Sequence, residues 1–179
     1  SVTLANDVNL AAMAERAAGA AQGASSFALL WMGGGLGVGI DVDGAVLRGA
    51  HGGAGELGYL AVPRTAIALD PDANDFTDLL GGPAIVRLLG GADTLLAILD
   101  PALIVLGGPT GAMGGAALAE LVISRVDAAT HPKLSVRASG TGAQPVLLGA
   151  RQQLVEQIHA ELEDEITTDA EPQRWSAEA

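Results

Sequence analysis

The spacing of apolar residues changes along the chain, and each change marks an element. Residues 7–21 are dominated by Ala, Leu, Met, Glu and Arg, all good helix formers, and predict one helix. Asn6 or Asp7 can cap its start and Gly23 is placed to end it. Residues 27–32 (FALLWM) form a short continuous apolar run, which predicts a buried strand. After Gly33-Gly34-Gly35, residues 36–42 alternate: Leu36, Val38, Ile40 and Val42 are apolar, with Gly37, Gly39 and Asp41 between them. That period of two is a strand. Asp43-Gly44 is a hairpin signal, so residues 45–47 should return as a third strand.

Beyond the meander the chain alternates. Residues 51–58 (HGGAGELG) read as a glycine-rich loop around one buried-looking acid, Glu56, with a short strand expected over 59–62. Residues 64–74 read as irregular. Helices are expected over 75–80, 83–89 and 92–99, the first two broken at Gly81-Gly82. A buried strand over 101–106 leads through Gly107-Gly108-Pro109 to a helix near 115–128. Strands over 134–138 and 145–148, a packing turn at 147–151 and a helix over 150–163 complete the body. Strands alternating with helices imply a mainly parallel late sheet and an α/β fold. Residues 164–179 are polar, contain Pro172 and lack periodicity, so a disordered acidic tail is expected there.

Composition narrows the function classes. The chain has 179 residues and a formal charge of -12, with hydrophobic residues at 49% but aromatics at only 3%, so its core must be built from Ala, Val, Leu and Ile. An acidic chain with no basic cluster argues against direct contact with nucleic acid. There is no Cys, so disulfides and thiolate metal sites are excluded. Residues 1–10 carry no basic leader, and no apolar stretch is long enough for a membrane span. A cytoplasmic location is expected.

Several groups could carry chemistry. The cluster at 32–40 (MGGGLGVGI) joins two strands and lacks the lysine of a phosphate-binding P-loop. It is either a tight hairpin or a turn whose backbone N–H groups meet phosphate. The cluster at 105–115 (VLGGPTGAMGG) runs from strand to helix, where open α/β sheets bind ligands, although an ordinary turn fits equally. Asp7, at a helix start, is favoured as an anion by the helix dipole and could take a proton from a sugar hydroxyl; spacing alone favours a plain cap. Glu56 could bind vicinal hydroxyls or be a solvated loop acid. His51 has no second His or Cys nearby, and neither His131 nor His159 has a catalytic setting.

Four segments occur in a telling order: LANDVNLAAMAERAAGAAQG, MGGGLGVGIDVDGAVLRGAHGGAGELGYL, ILDPALIVLGGPTGAMGG and QPVLLGARQQL. Together, over about residues 2–158, they resemble the ROK family of bacterial sugar kinases and sugar-responsive repressors. The resemblance implies a ribonuclease H-like, actin/hexokinase-type ATPase fold, of which residues 1–163 would be the C-terminal lobe. It implies that the Asn-Asp-x-Asn motif is Asn6, Asp7, Val8 and Asn9, with Asn6 and Asp7 facing the sugar. Glu56 falls on the family's sugar-binding Glu. Tyr59 stands where the family has a zinc-ligating His, and Asp78 matches a later sugar-contacting Glu. Gly33, Gly34 and Gly35 replace a Gly-Thr-Gly phosphate loop, and Gly107 and Gly108 fall on the nucleotide-side glycines.

The departures point toward a regulator. Without cysteines or the zinc-ligating His, no metal and no structural zinc are expected. Gly34 lacks the hydroxyl that would meet phosphate, so no cofactor is expected; ATP and Mg would enter only if the chain were half of a kinase with Asp7 as general base. The preferred expectation is the sugar- or sugar-phosphate-binding, dimerising lobe of a ROK-type repressor. It would form a homodimer, reach DNA only through a domain outside these residues, and have no membrane partner. The N-terminal lobe is expected to lie outside the chain as well.

Overall fold

A computed structural model describes residues 4–59, 96 and 99–169. Helix α1 (Asp7–Ala18) precedes strands β1 (Ser26–Met32), β2 (Leu36–Val42) and β3 (Ala45–Val46). A single 3-10 turn covers Leu57–Tyr59. Strand β4 (Leu103–Gly107), helix α2 (Gly108–Ile123), strand β5 (Ser135–Ala138) and helix α3 (Pro145–Asp169) follow. The five strands lie in the order β3-β2-β1-β4-β5. β1–β2 and β2–β3 are antiparallel; β1–β4 and β4–β5 are parallel.

The sheet is covered on both faces, and strand alternation decides which residue goes where. Phe27 and Leu29 of β1, with Leu103 and Val105 of β4, pack with Val8, Ala11 and Ala12 of α1. Ala28, Leu30, Met32, Ile104 and Leu106 point the other way and pack with Ala119 and Val122 of α2. Buried on both faces, β1 and β4 read as continuous apolar runs.

On β2 the face toward α1 carries almost no side chains. A Cβ on Gly37 would stand 2.9 Å from Val8 Cγ2, and one on Gly39 would stand 2.8 Å from Ala12 Cβ and 3.1 Å from the Val8 carbonyl oxygen. The next residue on that face is Asp41, fully buried, which binds the Arg16 guanidinium. Val8, Ala12 and Arg16 recur every four residues, one stripe of the helix laid along Gly37, Gly39 and Asp41. Arg16 also lies 5.1 Å from the centroid of the Phe27 ring and donates to the Ala24 carbonyl.

A second anchor fastens the end of α1. Glu15, 1% exposed, accepts hydrogen bonds from Ala20 N–H (2.7 Å), Gly140 N–H (3.1 Å), the Thr141 hydroxyl (2.8 Å) and the Ser139 hydroxyl. These donors satisfy the buried carboxylate without a cation and tie α1 to the loop before α3. Helix α3 then crosses α1 at Gly149, whose Cβ would stand 1.7 Å from the Leu10 carbonyl oxygen.

Several expectations need correction. The first helix ends at Gly19, well before Gly23. α2 begins at Gly108, directly after β4, ends at Ile123, and is kinked at Gly115. Residues 145–148 are the first turn of α3, where a strand was expected: Pro145 suits a helix start, having no N–H to satisfy. Residues 147–151 therefore lie within a helix, and Gly149 serves the helix crossing. α3 continues to Asp169, past the expected boundary at 163. Tyr59 closes the 3-10 turn in place of opening a strand. The rest of that strand, the helices over 75–80 and 83–89, and most of the one over 92–99 lie outside the described residues, although Leu96 is helical and 1% exposed. No helix among the described residues is long and apolar enough to cross a membrane.

The α1–β2 contact predicts opposite outcomes at two glycines. Gly39→Val overpacks the contact and should destabilise the fold by about 2 kcal/mol or more in urea denaturation. Gly34→Ala, with nothing within 4 Å of the added methyl, should change stability by less than about 0.5 kcal/mol.

Candidate functional site

Helix α1 places Asn6 and Asp7. Val8 rests on Gly37, one residue from the β1–β2 turn, and Ala12 rests on Gly39, so α1 starts at the end of the sheet where β1 and β4 finish. Carboxyl ends of parallel strands are where open α/β sheets form ligand clefts. Asn6 is the N-cap, its side-chain oxygen accepting the Asn9 N–H at 3.0 Å. The same carboxamide donates its Nδ2 hydrogen to Glu56 Oε1 at 2.8 Å, across fifty residues of sequence. Asp7 is exposed, with Oδ1 accepting the Val8 N–H at 2.8 Å.

Glu56 arrives by way of the loop running past the edge of β2. Val38 N–H donates to the Gly55 carbonyl oxygen at 2.8 Å, and Leu57 N–H donates to the same oxygen at 2.8 Å. Gly55 has φ +86°, and a Cβ there would stand 1.8 Å from the Val38 carbonyl oxygen, so only glycine can make the approach. Glu56 is exposed, contrary to the buried-looking acid the sequence suggested, because its loop lies against the open edge of β2. Tyr59, three residues on, is 82% exposed. Asp78 lies outside the described residues.

The glycine turns gather at the same end. Gly33–Gly35 form the β1–β2 turn, closed by the Gly33 N–H donating to the Gly35 carbonyl oxygen at 3.0 Å. Gly107 and Gly108 carry β4 into α2, directly beside it: a Cβ on Gly33 would stand 3.3 Å from Pro109 Cδ. Packing requires one of these five glycines, Gly108, and crowds two others against side chains. A Cβ on Gly33 would stand 3.0 Å from Trp31 Nε1, one on Gly107 would stand 2.7 Å from Leu29 Cδ1, and one on Gly108 would stand 2.4 Å from the Met32 carbonyl oxygen. Gly34 and Gly35 face open space.

Asn6, Asp7 and Glu56 thus share the end of the sheet that carries the glycine turns, offering two exposed carboxylates and a carboxamide. Such a set exchanges hydrogen bonds with hydroxyl groups. Among the described residues no cluster of three His, Cys, Asp or Glu suited to an ion occurs. His51 lies exposed on the Glu56 loop. Sequence reasoning missed Trp31, whose apolar run announced only a strand, and Glu15, whose only sequence signal is an acid on the buried face of an Ala-rich helix.

Residues 1–78 match the ROK family. A glucokinase from Halalkalibacterium halodurans is 43% identical over 61 residues, which span 34% of this chain and 18% of the relative. A ROK hexokinase from Thermus thermophilus superposes with a TM-score of 0.60 at 28% identity, covering 83% of this chain and 63% of that one. A ROK family transcriptional regulator, a homologue of the E. coli MLC protein, superposes with a TM-score of 0.60 at 19% identity, covering 83% of this chain and 50% of that one. The chain therefore spans less than two thirds of each of these proteins. Its mixed α/β fold is that of the actin-like ATPase-type ROK structures.

Losing either end of the Asn6–Glu56 bridge should have different costs. Asn6→Ala removes the helix cap and should cost about 1 kcal/mol in urea denaturation. Glu56→Ala removes one exposed hydrogen bond and should cost less than about 0.5 kcal/mol.

Proposed function

We propose that this chain, ROK-like in sequence over residues 1–78, is the sugar-binding and dimerising lobe of a ROK-type transcriptional regulator. The reading rests above all on the 2.8 Å bond from Asn6 to Glu56, which draws residues fifty positions apart to one point beside Asp7. Two carboxylates and a carboxamide in that arrangement suit the vicinal hydroxyls of a hexose or hexose phosphate. DNA would be contacted by a segment other than this one, and the ligand would act by binding one arrangement of the protein more tightly than another.

The phosphate side supports a regulator over a kinase. Gly34 stands at the open tip of the β1–β2 turn with no hydroxyl to offer a phosphate oxygen. Phosphoryl transfer depends on positioning and charge stabilisation at such contacts. One observation favours the alternative, the C-terminal half of an ATP-dependent sugar kinase: Asp7 is exposed at the helix start, where its carboxylate is open to a sugar hydroxyl and could act as general base.

Calorimetric titration with a panel of hexoses and hexose 6-phosphates tests the proposal. At least one should give saturable heat, with affinity falling tenfold or more in Glu56→Ala. Heat from no sugar would sink it. ADP release above background that disappears in Asp7→Asn would establish the kinase reading instead.

A further inference from the structure

The indole of Trp31 lies where the two halves of the site meet. Trp31 is the last residue of β1 but one and projects to the α1 face, packing against the cluster that holds Val8 and Leu29. Its register partners are Gly37 on β2 and Gly107 on β4. Gly37 is the residue on which Val8 rests, and side chains of paired residues share a face, so the indole lies beside the first turn of α1. On its other flank are the glycine turns. The indole Nε1 lies 3.0 Å from where a Cβ on Gly33 would stand, and Cε3 lies 3.5 Å from where one on Gly107 would stand. The pyrrole edge thus faces one turn and the six-membered ring faces the other.

A tryptophan serving only as core would be covered. This one is half-buried, and its N–H has no hydrogen-bond partner among the described residues. It is also an uncommon residue here: the chain has two tryptophans, and aromatics make up 3% of it. A large aromatic face with a free donor, between backbone turns and the start of the helix that carries Asn6 and Asp7, suits a ring with both an apolar face and polar edges.

Resting on the sugar-binding reading above, we propose that Trp31 contacts the ligand and helps determine specificity: its indole face receives the C–H face of a pyranose whose hydroxyls are taken by Asp7, Asn6 and Glu56. The indole also fills space between the two glycine turns, so it favours a sugar or sugar monophosphate over a nucleoside triphosphate.

Replacing the other tryptophan, Trp175→Phe, leaves Trp31 as the sole indole fluorophore. Its emission is followed while the protein is titrated with the hexose and hexose 6-phosphate panel and, separately, with ATP and magnesium, with heat recorded in parallel. The expected result is a saturable emission change that tracks the heat of one sugar. Trp31→Ala should weaken that sugar tenfold or more, and Trp31→Phe should restore most of the affinity, an outcome that loss of the fold alone would not give. Sugar heat with emission unchanged overturns the role of Trp31 and leaves the sugar reading standing. Emission responding to ATP while no sugar gives heat sinks the sugar reading and the pyranose assignment together, keeping Trp31 as a ligand contact. No response to any probe overturns both.

Discussion

The structure depends on how closely α1 can lie against β2. Two glycines, Gly37 and Gly39, remove the side chains that would hold the helix away, and Val8 and Ala12 descend almost to the strand backbone. Dispersion and hydrophobic gain rise with that closeness, and so does sensitivity to any added atom. At the far end, Asp41 and Arg16 replace apolar contact by a charged one. Asp41 is fully buried, so removing Arg16 would leave its charge unpaired; the pair fixes the register of helix on strand more than it adds net stability. Register matters because the reactive groups sit at the other end of the same helix.

From that register the site follows. With Val8 seated on Gly37, Asn6 and Asp7 emerge at the carboxyl end of the parallel strands, within reach of the loop that Gly55 pins against Val38. Glu15 does for the C-terminal half of α1 what Val8 does for its start. Its carboxylate gathers Ser139, Gly140 and Thr141 and sets the loop that launches α3. Movement of α1 would therefore be felt both at Glu56 and at the base of α3.

How much of this was legible follows from which forces are local. The strands β1, β2 and β4 were readable because burial on both faces, or strict alternation, leaves a direct trace in the sequence. Asp43-Gly44 was readable because both residues adopt positive φ, 52° and 85°, a conformation few other pairs tolerate. The start of α3 was misread because Pro-Val-Leu-Leu has the apolar content of a strand, and only packing of Gly149 on α1 decides for helix. Glu56 was misjudged as buried because neighbouring glycines imply a tight loop but not which side of it faces solvent. Asn6 and Asp7 could be placed at a helix start from spacing, but their meeting with Glu56 is a tertiary fact that entered only through family resemblance.

The glycines carry a wider lesson about such resemblance. Gly108 has φ +75°, and a Cβ there would stand 2.4 Å from the Met32 carbonyl oxygen, whereas a Cβ on Gly33 or Gly107 would meet the Trp31 and Leu29 side chains, which can give way. A protein keeping this sheet and these turns would need Gly108 whether or not phosphate ever approached. Its presence therefore reports the fold. Gly34 and Gly35, with open space around them, are the positions that packing leaves free to vary. Chemistry is better read from positions that packing leaves free than from those it dictates.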